Sequence, residues 1–246
     1  MFAQKKVIIF DMDGTLIDSV GIWNRVDREL IERIAHVSID ETRLQQQRDT
    51  LLCSFSHTKD AYLEYCHFLK ESYNATLSKE EIRQLRYDIA HRYMCEVMDF
   101  KPSAEHFLAY LKQKGFALVI ASTTSSANLH TYQTRNHIMR SKVNFEETFS
   151  LILGREAVQK IKPHPEIHHL IMETLHVNAD ECLVIEDSLI GLEAAMRAGI
   201  DTIIMHDDYS DNDRTALTHH SCASFKTYQD VLEYAQKELE SLRRKS

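Results

Sequence analysis

The stretch that most constrains this chain is Val7-Ile8-Ile9-Phe10-Asp11-Met12-Asp13-Gly14-Thr15. Four apolar residues run straight into a carboxylate, a spacer, a second carboxylate and a glycine. A continuous apolar run cut off by a turn signal predicts a strand buried on both faces, as in a parallel sheet. In open α/β sheets, ligands bind in the crevice beyond the carboxyl ends of the strands. Asp11 and Asp13 are therefore expected where a substrate would sit.

Neighbouring carboxylates at one strand end repel each other unless a cation or a shared proton relieves the charge. Mg²⁺ suits that place, because it takes oxygen ligands and keeps positions open for water and a substrate phosphate. With it, Asp11 has the chemistry of a nucleophile toward phosphorus, forming an aspartyl-phosphate. Asp13 has that of an acid for the leaving oxygen and then a base for water. Gly14 permits a tight turn, and Thr15 adds a hydroxyl near the anion. The competing reading of the same residues is a solvated Asp-x-Asp-Gly turn or a calcium loop.

The 246 residues leave room for one large domain or a core with an insertion. A net charge of −8 argues against a nucleic-acid or acidic-membrane partner, which would call for basic patches. It leaves an anionic small substrate open, such as a small phosphorylated metabolite, since a local lysine and a metal can dominate one cleft. Five cysteines, odd in number and never in C-x-x-C, predict free thiols in a reducing, cytoplasmic setting. The short apolar run after Lys5 and Lys6 is neither a signal peptide nor a membrane span. The pairs His168-His169 and His219-His220 lack partners at ligand spacing and read as surface or packing residues.

After Thr15 the apolar period becomes helical: Ile17, Val20, Trp23, Val26, Leu30, Ile31 and Ile34. Leu44 to Leu52 is less regular, a short helix or a loop. Ser78-Lys79-Glu80-Glu81 has the form of a capping box and opens a helix to about Val97. With no convincing strand between them, residues 16–100 are expected to form an all-helical cap or lid. From Lys101 strand and helix alternate, with strands at Phe116 to Ala121, Phe149 to Leu153, Cys182 to Ile185 and Thr202 to Met205. Residues 1–15 and 101–246 thus predict an α/β core, a doubly wound parallel sheet.

What ends each strand is informative. Strand one stops at Asp11 and Asp13, the second at Ser122 and Thr123, the fourth at Glu186 and Asp187. Lys160-Ile161-Lys162-Pro163-His164-Pro165 is a loop stiffened by two prolines that can aim a lysine. Together these residues make a phosphate site: Asp11 and Asp187 for the metal, Ser122 as a donor, Lys162 against developing charge. Each also has a purely structural reading, with Ser122 as a helix cap and Lys162 as a solvated charge.

In this arrangement the chain resembles the haloacid dehalogenase superfamily, in its branch with a helical cap after the first motif. Asp11-Met12-Asp13-Gly14-Thr15 matches the first motif, Ser122 after Leu118-Val119-Ile120-Ala121 the second, and Lys162 the third. Val184-Ile185-Glu186-Asp187-Ser188 through Ala198-Gly199 matches the fourth. The resemblance implies Asp11 as nucleophile, Asp13 as acid and base, and Mg²⁺ held by Asp11, the Asp13 carbonyl and Asp187. Glu186 is implied at or just behind the metal shell, and Thr15, Ser122, Thr123 and Lys162 around the phosphate. Ile161 departs from the family, where glycine is usual.

Asp13 argues against dehalogenation, which has no leaving alkoxide to protonate. Phosphonate cleavage uses a cap lysine, and Ile17 to Ile34 holds none. Trp23 stands where hexose-phosphate mutases carry histidine and sugar-phosphate phosphatases often carry tryptophan. The expectation is a Mg²⁺-dependent phosphomonoester hydrolase acting on a sugar phosphate, with Trp23 touching substrate. A β-phosphoglucomutase-like mutase and a non-catalytic regulator are the alternatives. The chain is expected to be a monomer or weak homodimer.

Overall fold

The structure is a computed structural model describing residues 1–37, 39, 41–55, 60–207 and 213–243. It divides into two compact units, Met1–Asp18 with Asp99–Ser246, and Ser19–Met98.

The first unit is built on a parallel sheet of β1 (Val7–Phe10), β2 (Ala117–Ala121), β3 (Phe149–Leu153), β4 (Cys182–Glu186), β5 (Asp201–Met205) and β6 (Ala223–Phe225). The spatial order is β3-β2-β1-β4-β5-β6, with every adjacent pair parallel. Connections run outward from β1 in one direction and from β4 in the other, so the topology switches between these two strands. Phe10 pairs with Ile120 and with Ile185, which brings the ends of β1, β2 and β4 level.

Alternate residues of β1 serve opposite faces. Val7 and Ile9 join Val119, Ala121 and Val184 beneath Ile167 and Ile171 of α9 (Glu166–Leu175) and Ala195 of α10 (Leu189–Arg197). Phe10 meets Phe107 of α5 (Ala104–Gln113), which in turn meets Tyr228 of α12 (Tyr228–Arg243). Burying a Val, Ile or Phe side chain in this way contributes about 1.5–3 kcal/mol relative to exposure. Covering both faces explains why β1 reads as unbroken apolar sequence.

The sequence reading missed two features here. β6 is only three residues long with Ser224 in its middle, too short and polar to register as a strand, and pairs through Ile203↔Ala223. Ile17, assigned above to the first helix, instead forms bridges to Asp13 and Phe100 within the sheet unit.

The second unit is helical among its described residues: α1 (Val20–Ala35), α2 (Glu41–Ser54), α3 (Ala61–Tyr73) and α4 (Lys79–Glu96). The irregular 44–52 segment lies within a full helix. The capping box is present, Ser78 Oγ accepting from Glu81 N–H at 3.2 Å and Glu81 accepting from Ser78 N–H at 2.7 Å. Asp27 is wholly buried between Arg48 at 2.9 Å and Arg86 at 2.7 Å. Trp23 lies partly exposed on α1.

Between β2 and β3 lie α6 (Ser126–Thr134), α7 (His137–Lys142) and α8 (Phe145–Thr148), and α11 (Arg214–His220) precedes β6. Cys66, Cys95, Cys182 and Cys222 are free thiols, and the Cys53 side chain lies outside the described part. No helix among the described residues is long and apolar enough to cross a membrane.

Candidate active site

The ends of the three level strands place Asp11, Ser122, Glu186 and Asp187 at one sheet edge, each nearly or wholly buried. Lys162 reaches this edge from the loop before α9. Its ammonium donates to Asp11 Oδ1 and to Glu186 Oε1, both at 2.7 Å, and its side chain is 2% exposed. A lysine this far from water is normally kept only where it is paired. Burial alone would lower its pKa, but Asp11 and Glu186 outweigh burial and hold the ammonium above its usual range.

Asp11 shows the reverse balance. Burial pushes its carboxyl up to about 7; Lys162 opposes the rise, and Glu186 and Asp13 add to it. Asp187 is likewise raised, by burial first and then by the charges of Glu186 and Asp11. The edge thus gathers more negative charge than Lys162 compensates, and offers hard oxygen donors. Gly14, with φ +82°, packs so closely that a Cβ there would lie 2.5 Å from Asp187 Oδ2. Asp11, the Asp13 carbonyl and Asp187 fit an Mg²⁺ ion by charge and donor chemistry. Among the described residues no group of three or more His, Cys, Asp and Glu side chains is arranged to ligate a metal, so a backbone donor would have to complete the set.

Two expectations change in detail. Thr15 is fully buried, and its Oγ1 donates to the Asp187 carboxylate, at 2.6 Å from Oδ1. The reversal at Gly14 turns Thr15 back toward the end of β4, so it orients Asp187. Glu186 has both carboxylate oxygens engaged by protein donors. Its Oε1 accepts from Lys162, and Oε2 accepts from Asp187 N–H, Ser188 N–H and Ser188 Oγ at 2.8–2.9 Å. Those partners occupy the carboxylate, which therefore positions Lys162 and the turn into α10. Ser188 also caps α10, accepting from Gly191 N–H at 3.2 Å.

Ser122 is buried, and its Oγ accepts from Thr124 N–H at 3.1 Å, which leaves the hydroxyl hydrogen to donate. The cap of α6, the competing structural role for Ser122, is Ser125, whose side chain accepts from Asn128 N–H. Thr123 is partly exposed on the same loop. Thr124 Oγ1 donates to Asp13 Oδ2 at 2.5 Å, a contact the sequence reading did not anticipate. Tyr228, also missed, donates its buried hydroxyl to the Thr15 carbonyl at 3.2 Å. Trp23 belongs to the helical unit.

His219 and His220 pack edge to face, and His168 is buried in the sheet unit.

Comparison with known proteins follows the same pattern. Residues 8–205 match the family described as haloacid dehalogenase-like hydrolase. A phosphorylated carbohydrates phosphatase from Thermotoga maritima is 25% identical over 234 residues, covering 92% of this chain and 96% of the relative. Hexitol phosphatase B from Escherichia coli K12 is 24% identical over 205 residues, 83% of this chain and 85% of its own. A Thermotoga maritima crystal structure, provisionally described as a β-phosphoglucomutase, superposes with a TM-score of 0.77 at 22% identity. That superposition covers 94% of this chain and 99% of the other.

Proposed function

Because this chain belongs to the haloacid dehalogenase-like hydrolases, we propose that it is a phosphatase releasing phosphate from a small phosphorylated metabolite, a sugar phosphate foremost. The observation that carries the reading is the chain Asp11–Lys162–Glu186 beside Asp187, at the switch point of the sheet.

In the first step Asp11 attacks phosphorus. Lys162 engages Oδ1, so the attacking oxygen is Oδ2. The ester oxygen leaves with the electrons of the P–O bond and takes a proton from Asp13. In the second step Asp13, now a carboxylate, takes a proton from water, whose oxygen attacks the phosphorus of the aspartyl-phosphate. The P–O bond to Asp11 breaks, phosphate is released and Asp11 is again a carboxylate. Ser122 donates to a phosphoryl oxygen, and Lys162 offsets charge developing there. Mg²⁺, held by Asp11, the Asp13 carbonyl and Asp187, would supply charge neutralisation for the incoming phosphate. Substrate choice is assigned to the inserted helical unit, with Trp23 as its candidate residue. The names of the two phosphatase relatives support a carbohydrate phosphate as substrate class.

The test is phosphate release from hexose and pentose phosphates, phosphoglycolate, nucleotides, p-nitrophenyl phosphate and β-glucose 1-phosphate, with and without Mg²⁺. The expected result is metal-dependent release that Asp11→Asn abolishes. Conversion of β-glucose 1-phosphate to glucose 6-phosphate without release would make the protein a mutase. Retained turnover in Asp11→Asn would remove Asp11 as nucleophile.

A further inference from the structure

Asp13 is asked first to give a proton and then to take one, so its carboxyl must stand in one place through both steps. Asp13 follows a strand end and a spacer, just before the turn at Gly14, and an aspartate there has rotamers to choose among. The structure supplies an anchor from a different strand. Thr124 Oγ1 donates to Asp13 Oδ2 at 2.5 Å, joining residues 111 positions apart.

Thr124 is itself held at both ends of its backbone. Its N–H donates to Ser122 Oγ at 3.1 Å, and its carbonyl accepts from Arg155 N–H at 3.0 Å. Gly154 makes the second bond possible, because a Cβ on Gly154 would lie 2.9 Å from the Thr124 carbonyl oxygen. A β-branched residue on a fixed backbone has few χ1 states, so the hydroxyl is set in one direction. The loop therefore transmits the position of β2 and β3 to Asp13.

A second side chain of the following helix shares this environment. Tyr132 of α6 is wholly buried, and its hydroxyl has no hydrogen-bond partner among the described residues. Burial, and after it the charge of Asp13, raise its pKa, so the phenol stays neutral beside that carboxylate. The Thr124 hydroxyl thus gives the Asp13 carboxyl a fixed point of reference.

We infer that Thr124 is the positioning residue for Asp13, setting the acid–base carboxyl against the leaving oxygen. The inference rests on the phosphatase reading and deepens it, and it has a consequence in substrate class. Alkyl esters such as sugar phosphates leave as strongly basic alkoxides and need the Asp13 proton. An activated aryl ester such as p-nitrophenyl phosphate leaves as a weak base and needs it little.

The test compares kcat/KM, which covers the steps up to departure of the leaving group. Thr124→Val, Thr124→Ala and Thr124→Ser are made in the full chain and assayed with Mg²⁺. The substrates are p-nitrophenyl phosphate and the alkyl ester of the panel that the unmodified protein hydrolyses fastest. For the alkyl ester, Val and Ala should lower kcat/KM by about tenfold to a hundredfold, part of what a placed general acid contributes. For the aryl ester the loss should stay within about threefold, and Ser should restore the alkyl activity to a similar margin. Equal losses on both substrates, or no loss, would overturn the positioning role. Should Val disturb folding, as unfolding midpoints would reveal, the Ala and Ser pair decides. If the unmodified protein releases phosphate from neither ester, the phosphatase reading itself falls and takes this role with it. Release by the unmodified protein with equal losses in the variants removes the role alone.

Discussion

Lys162 Nζ stands 2.7 Å from Asp11 Oδ1, with both side chains buried and 151 positions between them in the chain. The same ammonium lies 2.7 Å from Glu186 Oε1. Two carboxylates therefore depend on one buried cation.

Removing that cation should be costly. Lys162→Met leaves Asp11 and Glu186 facing each other without compensation, and breaking a buried pair in this way costs about 3–5 kcal/mol. Denaturant unfolding should show a loss of that size, together with loss of phosphate release. A variant as stable as the parent would mean that the triad is dispensable to the fold.

Gly191 lies under Glu186 so closely that a Cβ would fall 1.7 Å from Oε1. In Gly191→Ala the carboxylate must move, which breaks its bonds to Lys162 and to the turn into α10. Overpacking of this kind costs about 1–3 kcal/mol. Thermal unfolding should register the loss, and phosphate release should fall further than stability alone explains. An unchanged kcat would argue that Glu186 does not position Lys162.

The raised carboxyls predict a metal effect that depends on pH. Asp11 is pushed up to about 7 from the ordinary 3.8, and Asp187 is raised as well. Across that window the folded chain holds protons that the unfolded chain releases. The contribution of these two carboxyls to metal-free stability is therefore greatest below the ordinary value and is lost as pH rises through the folded one. Binding Mg²⁺ requires the ionised carboxylates and releases those protons. The rise in unfolding temperature on adding Mg²⁺ should be larger near about pH 8 than near about pH 5.5. Calorimetry showing the opposite order would remove Asp11 and Asp187 as its ligands.

His168 gives a second dependence of opposite sign. It is fully buried, both ring nitrogens lack partners among the described residues, and its pKa is lowered from 6.5 to about 3. Burial is the main cause, with Lys162 and His169 adding to it. The unfolded chain takes up a proton that the folded chain refuses, so stability is lost as pH falls from 6.5 toward 3. The slope from this residue is about 1.4 kcal/mol per pH unit. His168→Leu should flatten urea-derived stability across that window and raise it at neutral pH. If the slope persists, some other group governs acid unfolding.

What could be read from the sequence was whatever depends on near neighbours. β1 announces itself because a strand covered on both faces must be apolar throughout, and the capping box at Ser78 and the cap at Ser188 are local patterns. The order of polar strand ends, Asp11, Ser122 and Asp187, is legible for a similar reason. Parallel strands deliver their carboxyl ends to one edge whatever the loops between them do.

What escaped the sequence depends on partners distant along the chain. β6 exists because β5 offers an open edge, and no three-residue segment containing Ser224 carries that information. Thr15 sits beside the nucleophile in sequence, yet its hydroxyl serves Asp187, because the left-handed turn at Gly14 reverses its direction. Glu186 is one residue from Asp187, but four donors claim its oxygens. Thr124 meets Asp13 only once β1 and β2 are paired in register. The amino-acid sequence by itself determined the strand that carries the chemistry and the residue types at the sheet edge, because periodicity and backbone direction are local properties. Tertiary structure alone decided which side chain each hydroxyl and carboxylate engages, because a hydrogen bond is settled by position in space and not by distance along the chain.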